Sequence, residues 1–229
     1  MPDSSALVIG PGGLGAALAQ ALQPHHQQVL CLGRRTAPAL DYADEAIVAR
    51  AAHWVADQCS AAPLRCLVVA TGFLHGPHGQ PERSWTQLDP GYLSHAFLVN
   101  AIGPALVIKH LMPLLPRQGP CVAAFVSAKV GSIGDNGLGG WYGYRAAKAA
   151  LNQLVKTASI EQARRNREAA VVALHPGTVD TALSQPFGKN GLRVRAPDTA
   201  AQEIVQVLRG LGPQDNGRFV DHQGQTLPW

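Results

Sequence analysis

The sequence predicts an α/β protein built on a doubly wound, mostly or wholly parallel sheet of about seven strands with helices on both faces. Three observations carry this reading. Short apolar runs alternate with longer amphipathic stretches; the runs are too short, and mostly too β-branched, for helices; and a glycine-rich turn separates the first run from the first helix. The runs at 6–9, 28–32, 66–70, 122–126, 170–174 and 219–220 read as strands, and a very short one at Ala39-Leu40 would be third of seven in chain order. The stretches at 14–22, 43–57, 92–115, 144–165 and 199–211 repeat apolar residues three and four apart and read as the intervening helices. Right-handed crossovers then put the carboxyl ends of the parallel strands along one edge, so functional residues belong just after strands.

With 229 residues the chain can bury one sizeable core, and residues 1–229 read as a single domain without repeat or linker. Hydrophobic residues at 46% and charged residues at 15% are a globular balance that excludes a disordered chain. The net charge of +4 comes from scattered basic residues with no nucleic-acid motif, so nucleic acid is not an expected partner and an anionic small ligand accounts for the bias. Met1-Pro2-Asp3-Ser4-Ser5 lacks a basic leader, and the apolar run after it breaks at Gly10-Pro11-Gly12-Gly13; neither a signal peptide nor a membrane span is expected, and the location is expected to be cytoplasmic. Cys31, Cys59, Cys66 and Cys121 show no metal or redox spacing, so reduced thiols and no metal are expected.

Gly10-Pro11-Gly12-Gly13-Leu14-Gly15 follows the first strand and opens the first helix, the context in which G-x-G-x-x-G binds a pyrophosphate. Glycine lets the backbone approach the anion, and the helix N-terminus offers it unpaired N–H groups. An acidic residue about 20 positions later would accept a ribose 2′-hydroxyl, but the second strand ends in Gly33-Arg34-Arg35. Two guanidiniums suit a 2′-phosphate, so NADP(H) is preferred over NAD(H), which stays as the alternative.

Tyr144-Arg145-Ala146-Ala147-Lys148 sets a phenol and an ammonium four apart near a helix start, on one face. Carbonyl reduction needs a proton donor at oxygen as hydride reaches carbon, and a nearby cation stabilises the phenolate of a tyrosine acting as acid or base. Tyr142 is a rival, but the residue four beyond it is Ala146. The loops 74–85 and 184–195 shape any substrate pocket, and the second reads as the most mobile segment. His75 and His78 in the first of these loops are more simply read as solvated than as substrate contacts, and Trp141 and Phe187 either line an apolar pocket or pack elsewhere.

In order, these motifs resemble the short-chain dehydrogenase/reductase family over nearly the whole chain, and within it the C-factor and sniffer-like carbonyl reductase branch. The resemblance rests on the glycine turn, Asp41-Tyr42, Ala70-Thr71-Gly72, Asn100 within a helix, Ser127 to Gly131, Tyr144 with Lys148, and Pro176-Gly177. It implies a Rossmann-type domain, a small carbonyl or alcohol substrate, and a homodimer or homotetramer. It further implies that Gly10, Gly12, Gly13, Leu14 and Gly15 hold the cofactor with Arg34, Arg35, Asp41, Tyr42, Ala70, Thr71 and Gly72, and that Pro176, Gly177, Val179 and Thr181 line the carboxamide and pyrophosphate. Tyr144 would be the acid/base, Lys148 would grip the ribose and lower the tyrosine pKa, and Asn100 would hold a relay water through helix backbone. The alternative within the branch is a cofactor-binding signalling protein with little turnover.

Three departures stand out. Gly10 and Gly13 are one residue closer than in the family's turn, so either a residue is missing or Ile9 takes the first glycine's place. Ala70-Thr71-Gly72 replaces Asn-Ala-Gly. The substrate-orienting serine is Ala128 here, which leaves Ser127, at a strand end, and Ser132, twelve residues before Tyr144, as candidates.

Overall fold

The computed structural model describes residues 3–187 and 194–229. Its sheet has six strands, β1 (Ser5–Ile9), β2 (Gln28–Leu32), β3 (Leu64–Val69), β4 (Cys121–Val126), β5 (Ala169–His175) and β6 (Phe219–Asp221), in the order β2-β1-β3-β4-β5-β6. Every neighbouring pair is parallel. The helices are α1 (Leu14–Leu22), α2 (Glu45–Gln58), α3 (Pro90–Phe97), α4 (Gly103–His110), α5 (Tyr142–Arg165) and α6 (Pro197–Gly210).

Strand periodicity divides the core into two layers. Leu7, Ile9, Leu67, Val69, Ala123, Phe125, Val171 and Ala173 face one way and pack with residues of α2, α4 and α5. Their neighbours Ala6, Val8, Cys66, Val68, Val122, Ala124, Ala170 and Val172 face the other, against α1 and α6. Covered on both sides, the strands need no polar face, which is why they read as continuous apolar runs. The chain starts at β1, moves outward to β2, then returns past β1 to β3, so the sheet reverses its winding between β1 and β3 and opens a crevice at their carboxyl ends.

Two expectations are corrected. The short strand at Ala39-Leu40 is a single parallel bridge between Gly33 and Ala39, so the sheet has six strands rather than about seven. The Thr36 hydroxyl donates to Gly33 O (2.9 Å) and Pro38 O (2.6 Å), curling the chain directly after β2 so that no ladder extends. The helix read at 92–115 is divided: α3 runs into a π-turn at Leu98–Ile102, where Gly103 N–H reaches back to Leu98 O, before α4 begins. By length and composition Pro90–Leu114 is apolar enough to cross a membrane, yet Tyr92, Ala96, Asn100, Ala101 and Val107 on its inner side are buried in the fold. Cys66 and Cys121 are buried and Cys31 and Cys59 partly so, all four as free thiols.

Candidate active site

A cleft of about 2190 Å³ runs along the carboxyl edge of the sheet, from the turn after β1 to Phe187. At one end, Ile9 stays in the sheet, paired with Leu32 and Val69, and Gly10 makes the turn at φ +87°, a region costly for any side chain. This settles the spacing question: the strand residue does not move into the turn. Gly10 N–H donates to Leu32 O (2.8 Å), and a Cβ on Gly15 would fall 2.0 Å from Gly10 O, so only glycine lets α1 start this close to the turn. Nothing lies within 4 Å of the Cβ position of Gly12, which leaves the approach to the α1 N-terminus open. A backbone cradle of this kind fits a pyrophosphate, and Leu14 lines the cleft beside it.

Arg34 and Arg35 line the same cleft past β2, with Asp41 and Tyr42. The Asp41 carboxylate accepts from its own Ala43 N–H (2.9 Å), and the Tyr42 hydroxyl shares a hydrogen bond with Thr71 Oγ1 (3.1 Å). Ala70 N–H donates to Ile9 O, continuing the β1–β3 pairing to the crevice, where Thr71 and Gly72 also line the wall. Asn100, fully buried in the π-turn, clamps the backbone one residue on: its Oδ1 accepts from Phe73 N–H (3.0 Å) and its Nδ2 donates to Phe73 O (2.7 Å). π-turns slip the helical ladder by one residue and concentrate at functional sites.

Tyr144 and Lys148 lie on one face of α5 and both line the cleft. Tyr144 is 7% exposed and Lys148 2%. The Lys148 Nζ stands 5.8 Å from the Tyr144 ring centre and donates to Val126 O (2.9 Å) at the end of β4. Burial lowers the Lys148 ammonium to about 7, and burial pushes the Tyr144 phenol well above its usual range. The pair therefore favours an uncharged, proton-bearing phenol at neutral pH.

After β5, Pro176, Gly177, Val179 and Thr181 line the opposite wall. The Thr181 methyl lies 3.1 Å from where a Cβ on Gly13 would sit, so this segment closes onto the glycine turn. Trp141 and Phe187 also face the cleft rather than the core: their rings meet edge to face at 5.1 Å, Trp141 lies 6.2 Å from the Tyr144 ring, and His75 packs on Phe187 at 5.3 Å. His75 also bonds Ala182 O (3.0 Å), and His78 stacks on His95 at 3.7 Å, so neither is merely solvated. Of the segment 184–195, residues 188–193 lie outside the described residues.

The hydroxyls of both serine candidates are bonded within the chain, although Ser127 itself lines the cleft. The buried Ser127 hydroxyl donates to Asn152 Oδ1 (2.6 Å) on α5. Ser132 donates to Trp229 O (3.1 Å), accepts from Asp135 N–H (3.1 Å), and is not part of the cleft wall. Ala128, where the family resemblance implies a serine, lines the cleft next to Ser127. Sequence reasoning also missed two residues. Arg145 donates to Gly140 O (2.9 Å), Gly139 O (3.2 Å) and Val130 O (3.2 Å), tying down the loop before α5. Glu82, 2% exposed, receives Gly143 N–H at both carboxylate oxygens (3.2 and 3.1 Å). Arg145 sits inside the recognised pentapeptide, whereas a lone glutamate in a Gly/Pro-rich loop carries no periodicity to reveal it.

Known proteins resemble this chain in sequence and in fold. The chain is 35% identical over 142 residues to the C-signal of Myxococcus xanthus, covering 62% of this chain and 81% of that protein. It is 33% identical over 142 residues to the 1-hydroxy-2-glutathionyl-2-methyl-3-butene dehydrogenase of a Rhodococcus strain, covering 62% of this chain and 61% of that enzyme. Among solved structures, the carbonyl reductase Sniffer of D. melanogaster superposes with a TM-score of 0.83 at 24% identity, and an NADPH-bound carbonyl reductase from chicken fatty liver with 0.86 at 22%, each covering 100% of both chains. At such identity these structures establish the shared fold. The sequence pattern of the short chain dehydrogenase family matches residues 4–191, and the chain belongs to that family of oxidoreductases.

Proposed function

We propose that this chain is an NADPH-dependent reductase of small carbonyl compounds, with Tyr144 as the proton donor. The observation that carries the reading is the stacking of Tyr144 and Lys148 one helical turn apart in the cleft that also holds the glycine turn and Arg34-Arg35. When bound, the nicotinamide supplies the hydride. The cradle at Gly10 to Gly15 offers backbone N–H groups to a pyrophosphate, and Arg34 and Arg35 offer paired donors to a 2′-phosphate. Tyr144 keeps its proton near neutrality because burial disfavours the phenolate, so it can donate to a carbonyl oxygen as charge develops there. Lys148, fixed to Val126 O, eases the later loss of that proton in its charged form, which burial confines to pH below about 7. The NADP-bound and carbonyl-reducing neighbours support the same assignment. A homodimer or homotetramer formed through the 90–110 helical segment and α5 belongs to this reading, supported by the exposed Ile102 and Ile160, and the solution mass tests it.

A second reading, a cofactor-binding signalling protein with little turnover, is favoured by one specific pair of observations: the likeness to the C-signal and the missing hydroxyl at Ala128. NADPH consumption across a panel of aldehydes and ketones separates the two. Turnover supports the reductase; tight NADPH binding with no consumption anywhere in the panel supports the signalling protein.

A further inference from the structure

Glu82 stands outside the chemistry described above. Its carboxylate is buried, and among the described residues no Lys, Arg or His forms an ion pair with it. A buried carboxylate is costly unless hydrogen-bonded, and the recorded partner of this one is the backbone N–H of Gly143, in the first turn of α5 and next to Tyr144. The room for it is kept by glycine: a Cβ at 143 would fall 2.9 Å from Tyr92 Cε1, 3.0 Å from Leu93 Cδ2 and 3.1 Å from Glu82 Oε1.

The backbone of the same residue grips the position before the helix. Glu82 O accepts from Trp141 N–H (2.5 Å). Trp141 sits in the left-handed region at φ 53°, the one non-glycine residue there among those described, and its side chain makes no capping bond to α5. Bulky residues enter that region only where the surroundings hold them. Here the reward is directional: the left-handed step starts α5 and turns the indole toward Phe187 and the Tyr144 ring.

We propose that Glu82 is a positioning residue: its carboxylate, held on Gly143 N–H, keeps its own backbone carbonyl on Trp141 N–H, and so fixes the strained step that sets where Tyr144 and Trp141 stand in the cleft. Its effect on turnover rests on the reductase reading, whereas its effect on the backbone does not. A proton donor displaced by about 1 Å loses on the order of a hundredfold in rate, while the cofactor cradle after β1 and the arginines after β2 lie on other elements.

Two variants of the full chain test this. Glu82→Gln keeps an acceptor oxygen; Glu82→Met fills similar space without one. We expect the Met variant to lose about tenfold to a hundredfold in kcat with NADPH affinity within about twofold of wild type, and the Gln variant to recover most of that loss. The activity-independent arm is a double-mutant cycle in urea unfolding with Trp141→Gly, because glycine adopts the left-handed step without being held. Glu82→Met should lower the unfolding midpoint much less in the Trp141→Gly background than alone, and should fold in that background even if it does not fold by itself. Additive midpoints, a misfolded double variant, or a Met variant with wild-type kcat would each overturn the proposal. If the wild-type protein turns over nothing, the reductase reading fails and the cycle alone decides on Glu82.

Discussion

The Lys148 ammonium donates to the backbone carbonyl of Val126 at 2.9 Å, tying α5 to the last residue of β4. This bond places the Lys148 ammonium by reference to the sheet, so the Tyr144–Lys148 face looks into the crevice and not away from it. A lysine this buried is charged at a cost, which is why its ammonium falls to about 7.

A pH dependence of stability follows. The unfolded lysine takes up its proton near its ordinary pKa of about 10.4, the folded one near 7, so between those values the unfolded chain binds more protons. Stability should therefore rise with pH from about 7 to about 10, and the contribution is lost as pH falls through 7. Urea unfolding of wild type and Lys148→Met in the unliganded protein measures it: the wild type should gain on the variant by as much as a few kcal/mol across that window. A constant difference would show that Lys148 is not desolvated as described.

Cofactor choice should reside in Arg34 and Arg35. Replacing Arg34 with Asp removes a paired donor and adds a repelling charge, so NADPH affinity should fall by about tenfold or more relative to NADH. Fluorescence titration with both cofactors reads the ratio; an unchanged ratio would contradict the assignment.

Gly15→Ala tests the turn. The added carbon would meet Gly10 O at 2.0 Å, and backbone cannot swing aside as a flexible side chain can. We expect destabilisation of about 2–4 kcal/mol and weakened NADPH binding, measured by denaturant unfolding and titration. Gly12→Ala, with open space around it, should be much milder for folding.

Ala128→Ser asks whether the wall lacks a donor. Ser127 lines the wall but its hydroxyl is engaged with Asn152, and Ser132 is engaged with Trp229, so Ala128→Ser would add a further hydroxyl to the cleft wall. Turnover should rise by about tenfold if it reaches the developing oxyanion. An unchanged kcat would mean that the carbonyl oxygen lies elsewhere.

Much of this was legible in the sequence because two-residue and 3.6-residue periods mark elements directly. The runs at 28–32 and 14–22 match β2 and α1 to the residue, since each is bounded by polar or glycine punctuation. The failures have physical causes. Two residues at Ala39-Leu40 have no period to measure, and a threonine hydroxyl curled that segment locally. A π-turn slips the ladder by one residue, which barely disturbs an apolar stripe, so the break at Leu98–Ile102 left no trace. Where a serine hydroxyl points was set by partners 25 and 97 residues away, Asn152 and Trp229, beyond any local pattern. Glu82 likewise gains its meaning from Gly143, 61 residues on.

The most direct test of the whole account is Tyr144→Phe, assayed beside wild type with NADPH and a carbonyl substrate that the wild type consumes. Losing only the hydroxyl, the variant should bind NADPH with nearly unchanged affinity while consumption falls by at least about a hundredfold. Equal consumption by the two proteins would show that the proton comes from another group and that this phenol is not the acid of the reaction.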